Sequence, residues 1–223
     1  MNELAKPITP AVGDSLFEHF DWLYILCRER FFRDDTQRII DALWPAGRPN
    51  VGEKLVELGC GPGFYARRLA QIFPQLQVLG LDRSHRLLEY AREKATQDGL
   101  RNCVLEYANV LDVARASETF DQVVASRLFT VLPEAEEVVA ETFRVLKSGG
   151  RAFIAEPRFR LWASLPLFAM RMFAGVSGVK CHEPVAARIF WPREFDELVR
   201  TQPWRSVRVW QAGRYQYALC EKG

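Results

Sequence analysis

From Lys54 to Glu156 the spacing of apolar positions switches repeatedly between strand and helix periods. Lys54–Leu58 is a compact apolar run of strand length. Phe64–Phe73 then carries apolar residues at helical spacing. Gln77–Leu81 reads as a second strand and Ser84–Gln97 as a second helix ending before Gly99. Cys103–Tyr107 and Phe120–Ala125 predict a third and fourth strand. Pro133–Leu146 predicts a third helix, stopped by Ser148-Gly149-Gly150, and Arg151–Ala155 a fifth strand. This alternation with short connections implies βαβ units and an α/β fold, a parallel sheet covered by helices on both faces.

Two regions lie outside the alternation. Ser15–Leu43 reads as helical, with Phe17, Phe20, Tyr24, Cys27, Phe31 and Phe32 near helical spacing, and Pro45, Gly47 and Pro49 end it. After the fifth strand, Pro157–Trp191 breaks the pattern; Pro192–Thr201 then predicts a helix with proline in its first turn. Ser206–Gln211 and Arg214–Cys220 close the chain as a hairpin around Gly213. The expected organisation is a helical cap over 1–50 and one domain over 51–223, with a lid-like insert at 157–191.

A chain of 223 residues suffices for one domain with a sizeable core. Its 48% hydrophobic and 26% charged residues are those of a globular protein. A formal net charge of +2 gives no electrostatic case for a nucleic-acid partner. Cys27, Cys60, Cys103, Cys181 and Cys220 are odd in number and scattered, with no C-x-x-C. That pattern argues against a disulfide framework and a zinc cluster, and fits the cytoplasm. The N-terminus lacks the order of a signal peptide. No apolar run reaches the roughly 18–20 residues a membrane span needs.

The segment Val56-Glu57-Leu58-Gly59-Cys60-Gly61-Pro62-Gly63 follows the first strand and opens the first helix of the alternating region. A glycine turn at a strand's carboxyl end lets a ligand approach the backbone, and the helix behind it offers unpaired N–H groups. Asp82 ends the second strand, nineteen positions after Gly63. An acid at that offset accepts hydrogen bonds from ribose hydroxyls, so both motifs imply an adenosine-containing ligand. A dinucleotide fingerprint wants a small residue where Phe64 stands, and no G-x-x-x-x-G-K-[ST] occurs.

ELGCGPG, the acidic end of LGLD, FDQVVAS and ETFRVLKSGGRAFIAEP resemble the class I S-adenosylmethionine-dependent methyltransferases, closest to the small-molecule group with the ubiquinone/menaquinone-type enzymes. The resemblance implies a Rossmann-like, seven-stranded, mostly parallel sheet whose last strand is antiparallel. It implies that Gly59, Cys60, Gly61 and Gly63 line the methionine part of S-adenosylmethionine, with Glu57 supporting that loop. Asp82 would bind the ribose hydroxyls, and Arg83 would lie against adenine. Asn109-Val110 stands where the family usually has an acid for the adenine amino group; the Asn109 amide oxygen can accept that bond. Ser126 would face the methyl donor. The implied reaction is direct displacement, in which the protein aligns the partners and excludes water; no residue stands out as a dedicated general base.

Several residues carry two readings. Glu156 either touches the acceptor or pairs with Arg158. Arg127 either lines the methyl-transfer cleft or sits on the surface. Cys181-His182 reads as a lid pair; adjacent residues alone make a poor metal site, and no metal is expected. In the insert, Leu161, Trp162, Leu165, Phe168, Met172 and Phe173 fall near one helical face, while Arg158, Arg160, Arg171 and Lys180 meet no acid before Glu183. The insert is either an ordinary packed helix or a lid over a hydrophobic small molecule, which also allows peripheral contact with an anionic membrane. Phe17, Phe20, Trp22 and Tyr24 would form the opposite wall. A lipid, a quinone precursor or an aromatic metabolite fits such a site. Rival readings are a macromolecule methyltransferase, disfavoured by Ser126-Arg127-Leu128-Phe129 where base-amine enzymes carry [DNS]-P-P-[YFW], an NAD-linked oxidoreductase, and a non-catalytic binding protein.

Overall fold

The computed structural model describes residues 19–159, 168–173 and 188–223. Its elements run α1 (Asp21–Arg30), α2 (Thr36–Leu43), β1 (Lys54–Leu58), α3 (Phe64–Ile72), β2 (Gln77–Asp82), α4 (His85–Gln97), β3 (Cys103–Tyr107), β4 (Phe120–Ser126), α5 (Ala135–Val145), β5 (Leu146–Pro157), α6 (Pro192–Val199), β6 (Ser206–Ala212) and β7 (Tyr215–Glu221). Residues 168–173 form a short helical piece. The expected positions Ser15 to Phe17, Arg160 to Leu165, and Lys180 to Glu183, with Trp162, Cys181 and His182 among them, lie outside the described residues.

The seven strands form one sheet in the order β3-β2-β1-β4-β5-β7-β6. All pairings are parallel except β5 with β7 and β6 with β7. The strand order reverses between β1 and β4, which opens a crevice beyond their carboxyl ends. Register aligns those ends: Leu58 pairs with Leu81 of β2 and with Ala125 of β4. The glycine turn, Asp82 and Ser126 therefore sit on one edge of the sheet.

Alternation along the buried strands feeds two cores. Leu55 and Phe153 face one side with α2 and α3, while Val56, Leu58 and Ile154 face the other with α5 and α6. Phe153 is fully buried beside Trp210 and Tyr217, with ring centroids 6.1 and 5.8 Å away. The closing hairpin thus completes the core of the first face.

Two local expectations change. Within Ser15–Leu43, read as one helical segment, the described residues from 19 onward form two helices parted at 31–35. Asp34 Oδ1 accepts from the Thr36 N–H at 2.9 Å and its hydroxyl at 2.6 Å, a local bond that starts a new helix. Asp35 turns inward, where its carboxylate accepts from the Tyr217 hydroxyl at 3.0 Å. The glycines after Leu146 are not a helix C-terminal signal. The chain passes straight from α5 into β5, and the register jumps between the Phe120–Leu146 and Gln122–Arg151 pairs. Gly149 and Gly150 occupy that bulge and bond to Lys222 of the next strand at 2.9 and 3.1 Å.

Truncation of the fully buried Phe153 to alanine is expected to cost about 3–5 kcal/mol of stability. Phe168→Ala, at a position 57% exposed, is expected to change it by less than about 0.5 kcal/mol. Urea denaturation followed by circular dichroism checks both; equal losses would contradict this placement of the core.

Candidate functional site

The crevice is built from the glycine turn upward. Gly59 and Gly61 hold the left-handed backbone, with φ of 69° and 52°. A Cβ on Gly61 would come within 3.3 Å of the Tyr24 ring, and one on Gly59 within 2.7 Å of Leu128. The missing side chains therefore let Tyr24 of α1 and Leu128 pack directly on the turn. Gly63 is constrained by packing, since its Cβ would lie 3.1 Å from Ala91. Gly80 of β2, which sequence reasoning missed, leaves room for Cys60: a Cβ there would stand 3.0 Å from the Cys60 sulfur.

Asp82 joins the two motifs. Its Oδ2 accepts from the Gly61 N–H at 2.7 Å and its Oδ1 from the Ser84 N–H at 2.9 Å. A carboxylate oxygen can accept more than one hydrogen bond. Ser84 itself caps α4, accepting from the Leu87 N–H at 3.2 Å. Glu57 lies beneath the turn and accepts from the Ala66 N–H at 2.8 Å, pinning the first turn of α3 to β1. Arg83 and Asn109 are exposed at the rim, Val110 is buried, and Ser126 is half-buried at the end of β4. The Asn109 amide oxygen accepts from the Leu111 N–H at 3.2 Å and folds its own turn.

On the acceptor side, Arg127 holds the left-handed backbone although it is not glycine, with φ of 60°. Such a conformation costs about 1–3 kcal/mol and persists where surrounding bonds fix it. Its N–H donates to the Ala155 carbonyl at 2.8 Å. Its guanidinium donates to the Tyr215 hydroxyl at 2.9 Å and lies 3.9 Å over the Phe32 ring. Arg127 is therefore clamped between the linker after α1 and β7. Glu156 is buried under the following loop and accepts from the Phe129 N–H at 2.9 Å. It serves the backbone of that loop, which neither sequence reading of this residue anticipated.

Helix α1 closes the crevice. Tyr24 packs edge-on against Phe32, and burial of its hydroxyl end raises its pKa, opposed by the charge of Arg127. Phe173 meets Phe20 at 6.3 Å and Trp22 at 5.8 Å, so 168–173 touches α1. Arg28 lies 3.7 Å over the Phe64 ring and 4.4 Å over Tyr65. Sequence reading missed it; the available signal is its place four residues after Tyr24 and eight after Phe20, a cation on an apolar face. A separate cavity of about 530 Å³, lined by Trp44, Glu53, Gln122 and Lys147, opens at the opposite edge of the sheet, away from these motifs.

These features fit the cofactor that the sequence motifs imply. A left-handed glycine turn and a carboxylate meet at the ends of β1 and β2, and the buried Arg28 stacks on the first turn of the helix that follows. Among the described residues no cluster of three His, Cys, Asp or Glu is placed to hold a metal ion.

Burial pushes the carboxyls of Glu57 and Glu156 up to about 8, against the pull of their backbone hydrogen bonds. Each takes up a proton on folding, so the stability it contributes is full below about 4.5 and is lost as pH rises through about 8. Urea denaturation between about pH 5 and pH 9 is expected to show falling stability. A Glu57→Gln, Glu156→Gln double variant, neutral throughout, is expected to flatten that fall. An unchanged slope would contradict the protonated state of both groups.

Comparison with known proteins agrees with this geometry. A methyltransferase domain model matches residues 49–199. The chain is 38% identical over 108 residues to phosphatidylethanolamine N-methyltransferase of Cereibacter sphaeroides, covering 46% of this chain and 50% of that protein. It is 27% identical over 151 residues to demethylmenaquinone methyltransferase of Geobacillus, covering 65% and 61%. The matches thus span about half to three-fifths of these relatives' own lengths. The fold superposes on Haemonchus contortus phosphoethanolamine N-methyltransferase 2, solved with S-adenosylmethionine, with a TM-score of 0.63 at 13% identity, covering 83% of this chain and 52% of that one. With the domain match reaching well over half of its length, the chain belongs to the class I S-adenosylmethionine-dependent methyltransferases.

Proposed function

We propose that this protein transfers a methyl group from S-adenosylmethionine to a small hydrophobic acceptor: a lipid, a quinone precursor or an aromatic metabolite. The observation that carries the acceptor class is the aromatic enclosure at the end of β4. Phe32, Tyr24 and Tyr215 surround Arg127 there, and Phe20, Trp22 and Phe173 extend the apolar wall. The names of relatives that act on a phospholipid and on a menaquinone precursor support the same class.

The cofactor supplies an electrophilic methyl group on a sulfonium, delivered by direct displacement. The chain's residues bind, orient and exclude water. Gly59, Cys60, Gly61 and Gly63 line the methionine portion, Glu57 holds their turn, and Asp82 accepts from the ribose hydroxyls. Arg83, Asn109 and Val110 form the adenine rim, and Ser126 faces the donor. Tyr24 and Arg127 contact the acceptor, Glu156 braces the loop that carries Arg127, and Trp162 and His182 belong to a lid. In this reading 1–50 is a cap, of which α1 covers the crevice while α2 packs on the sheet, and 157–191 is an insert in the domain 51–223. Alignment of two reactants is worth about 7–11 kcal/mol, enough for displacement without a dedicated base.

Among the described residues no helix is long and apolar enough to cross a membrane. Trp22, Phe168, Met172 and Phe173 are exposed apolar residues, which supports peripheral contact with a membrane surface from which the acceptor is drawn; the location that goes with this reading is the cytoplasm.

Formation of S-adenosylhomocysteine is expected with apolar acceptors such as phospholipids and hydroxylated quinone precursors, and not with RNA or protein. Phe32→Ala is expected to raise the acceptor KM about tenfold, through loss of an aromatic contact and its buried area, with the cofactor KM little changed. Chromatographic assay of the product nucleoside checks this. Turnover confined to RNA or protein acceptors, or none with any acceptor, would contradict the proposal.

A further inference from the structure

The acidic residues around α1 are nearly all committed. Glu29 pairs with Arg67 at 2.7 Å, Asp34 with Arg68 at 3.3 Å, and Asp35 with Arg33 and Arg38 at 3.0 and 3.2 Å. Arg28 stands apart from this scheme. It is only 7% exposed, and among the described residues both of its Nη groups lack a hydrogen-bond partner. A guanidinium withdrawn from water with no anion hydrogen-bonded to it is unfavourable by itself. The rings of Phe64 and Tyr65 offset part of that cost and fix its plane. Those rings belong to the first turn of α3, directly after Gly63. Two acids act on Arg28 by charge without bonding it: Asp34 is paired with Arg68, and Glu57 spends an oxygen on Ala66 while burial pushes its carboxyl up to about 8.

We infer that Arg28 is a binding residue for the amino-acid carboxylate of the methyl donor. Through it α1 selects donors that carry that anion over decarboxylated ones. This rests on the class I cofactor reading. A carboxylate is always ionised at neutral pH, and the planar fork of Arg28 can meet both of its oxygens at once. The cation that is unfavourable in the free protein is then neutralised by the ligand. Helix α1 is further held to α3 by the Arg67–Glu29 pair, so carboxylate binding also fastens the wall that contains Tyr24.

Calorimetry with S-adenosylhomocysteine and with the same nucleoside lacking its carboxylate tests this. Wild type is expected to favour the carboxylate form by about 10- to 100-fold, the range of hydrogen bonds to a charged partner. Arg28→Met is expected to abolish that preference while binding of the decarboxylated nucleoside stays within about threefold. Thermal unfolding without ligand guards against a folding defect: the methionine variant is expected to melt no lower than wild type, since an unpaired buried charge has been replaced by an apolar chain of similar length. A preference that survives in Arg28→Met overturns the inference. So does a variant that melts several degrees lower and loses both nucleosides equally, which assigns Arg28 to packing. If wild type binds neither nucleoside, the cofactor reading itself fails, and this inference with it.

Discussion

The hydrogen bond from the Gly61 N–H to the Asp82 carboxylate, 2.7 Å long, joins the ends of two strands that the chain reaches twenty-one residues apart. It forms only because β1 and β2 are parallel neighbours in register, with Leu58 opposite Leu81. It also needs a left-handed residue at position 61, where a side chain would press on Tyr24. Everything else in the crevice is referred to this bond. The same carboxylate orders the entry to α4 through Ser84, and Glu57 orders the entry to α3 through Ala66. Two buried or half-buried acids thus hold two helix starts against one sheet edge, before any ligand arrives.

This arrangement explains the differing legibility of the site. The parallel sheet was readable because each strand is a short apolar run between helical periods, and because Val56-Glu57-Leu58-Gly59 ties the motif to a strand end. Asp82 was readable by its offset from Gly63. The residues around Arg127 were not. Its clamp uses Phe32 from the N-terminal linker and Tyr215 from β7, groups 95 and 88 residues away that only the sheet order brings together. The bond that Glu156 makes was hidden for a related reason. The loop after β4, twenty-seven residues away, supplies the N–H that it accepts. Local signals were also overridden where tertiary bonds were stronger, as at Asp34 and Asp35, which divide one helical pattern into two helices.

Helix α1 and the body beneath it form a division of labour. The sheet and α3 supply rigid backbone, with Leu58, Val124 and Phe153 fully buried. Helix α1 is attached more lightly, by the Arg67–Glu29 pair, the rings over Arg28 and the contact of Tyr24 with the glycine turn. The junction at 31–35 is anchored through Asp35 to Tyr217 and through Tyr65 to Arg33 and Asp35. A wall fastened at one end and lightly tied along its length suits a crevice that admits a large cofactor and then excludes water around the transferred methyl group.

The central claim is that the glycine turn and Asp82 together form an S-adenosylmethionine site. Its most direct measurement is the calorimetric affinity for S-adenosylmethionine, with NAD as the control and Asp82→Ala as the comparison. Micromolar binding of S-adenosylmethionine is expected, with none of NAD, and a loss of about 1–3 kcal/mol in the variant, the contribution of hydrogen bonds to a charged group. Preference for NAD, or an affinity for S-adenosylmethionine indifferent to Asp82, would contradict it.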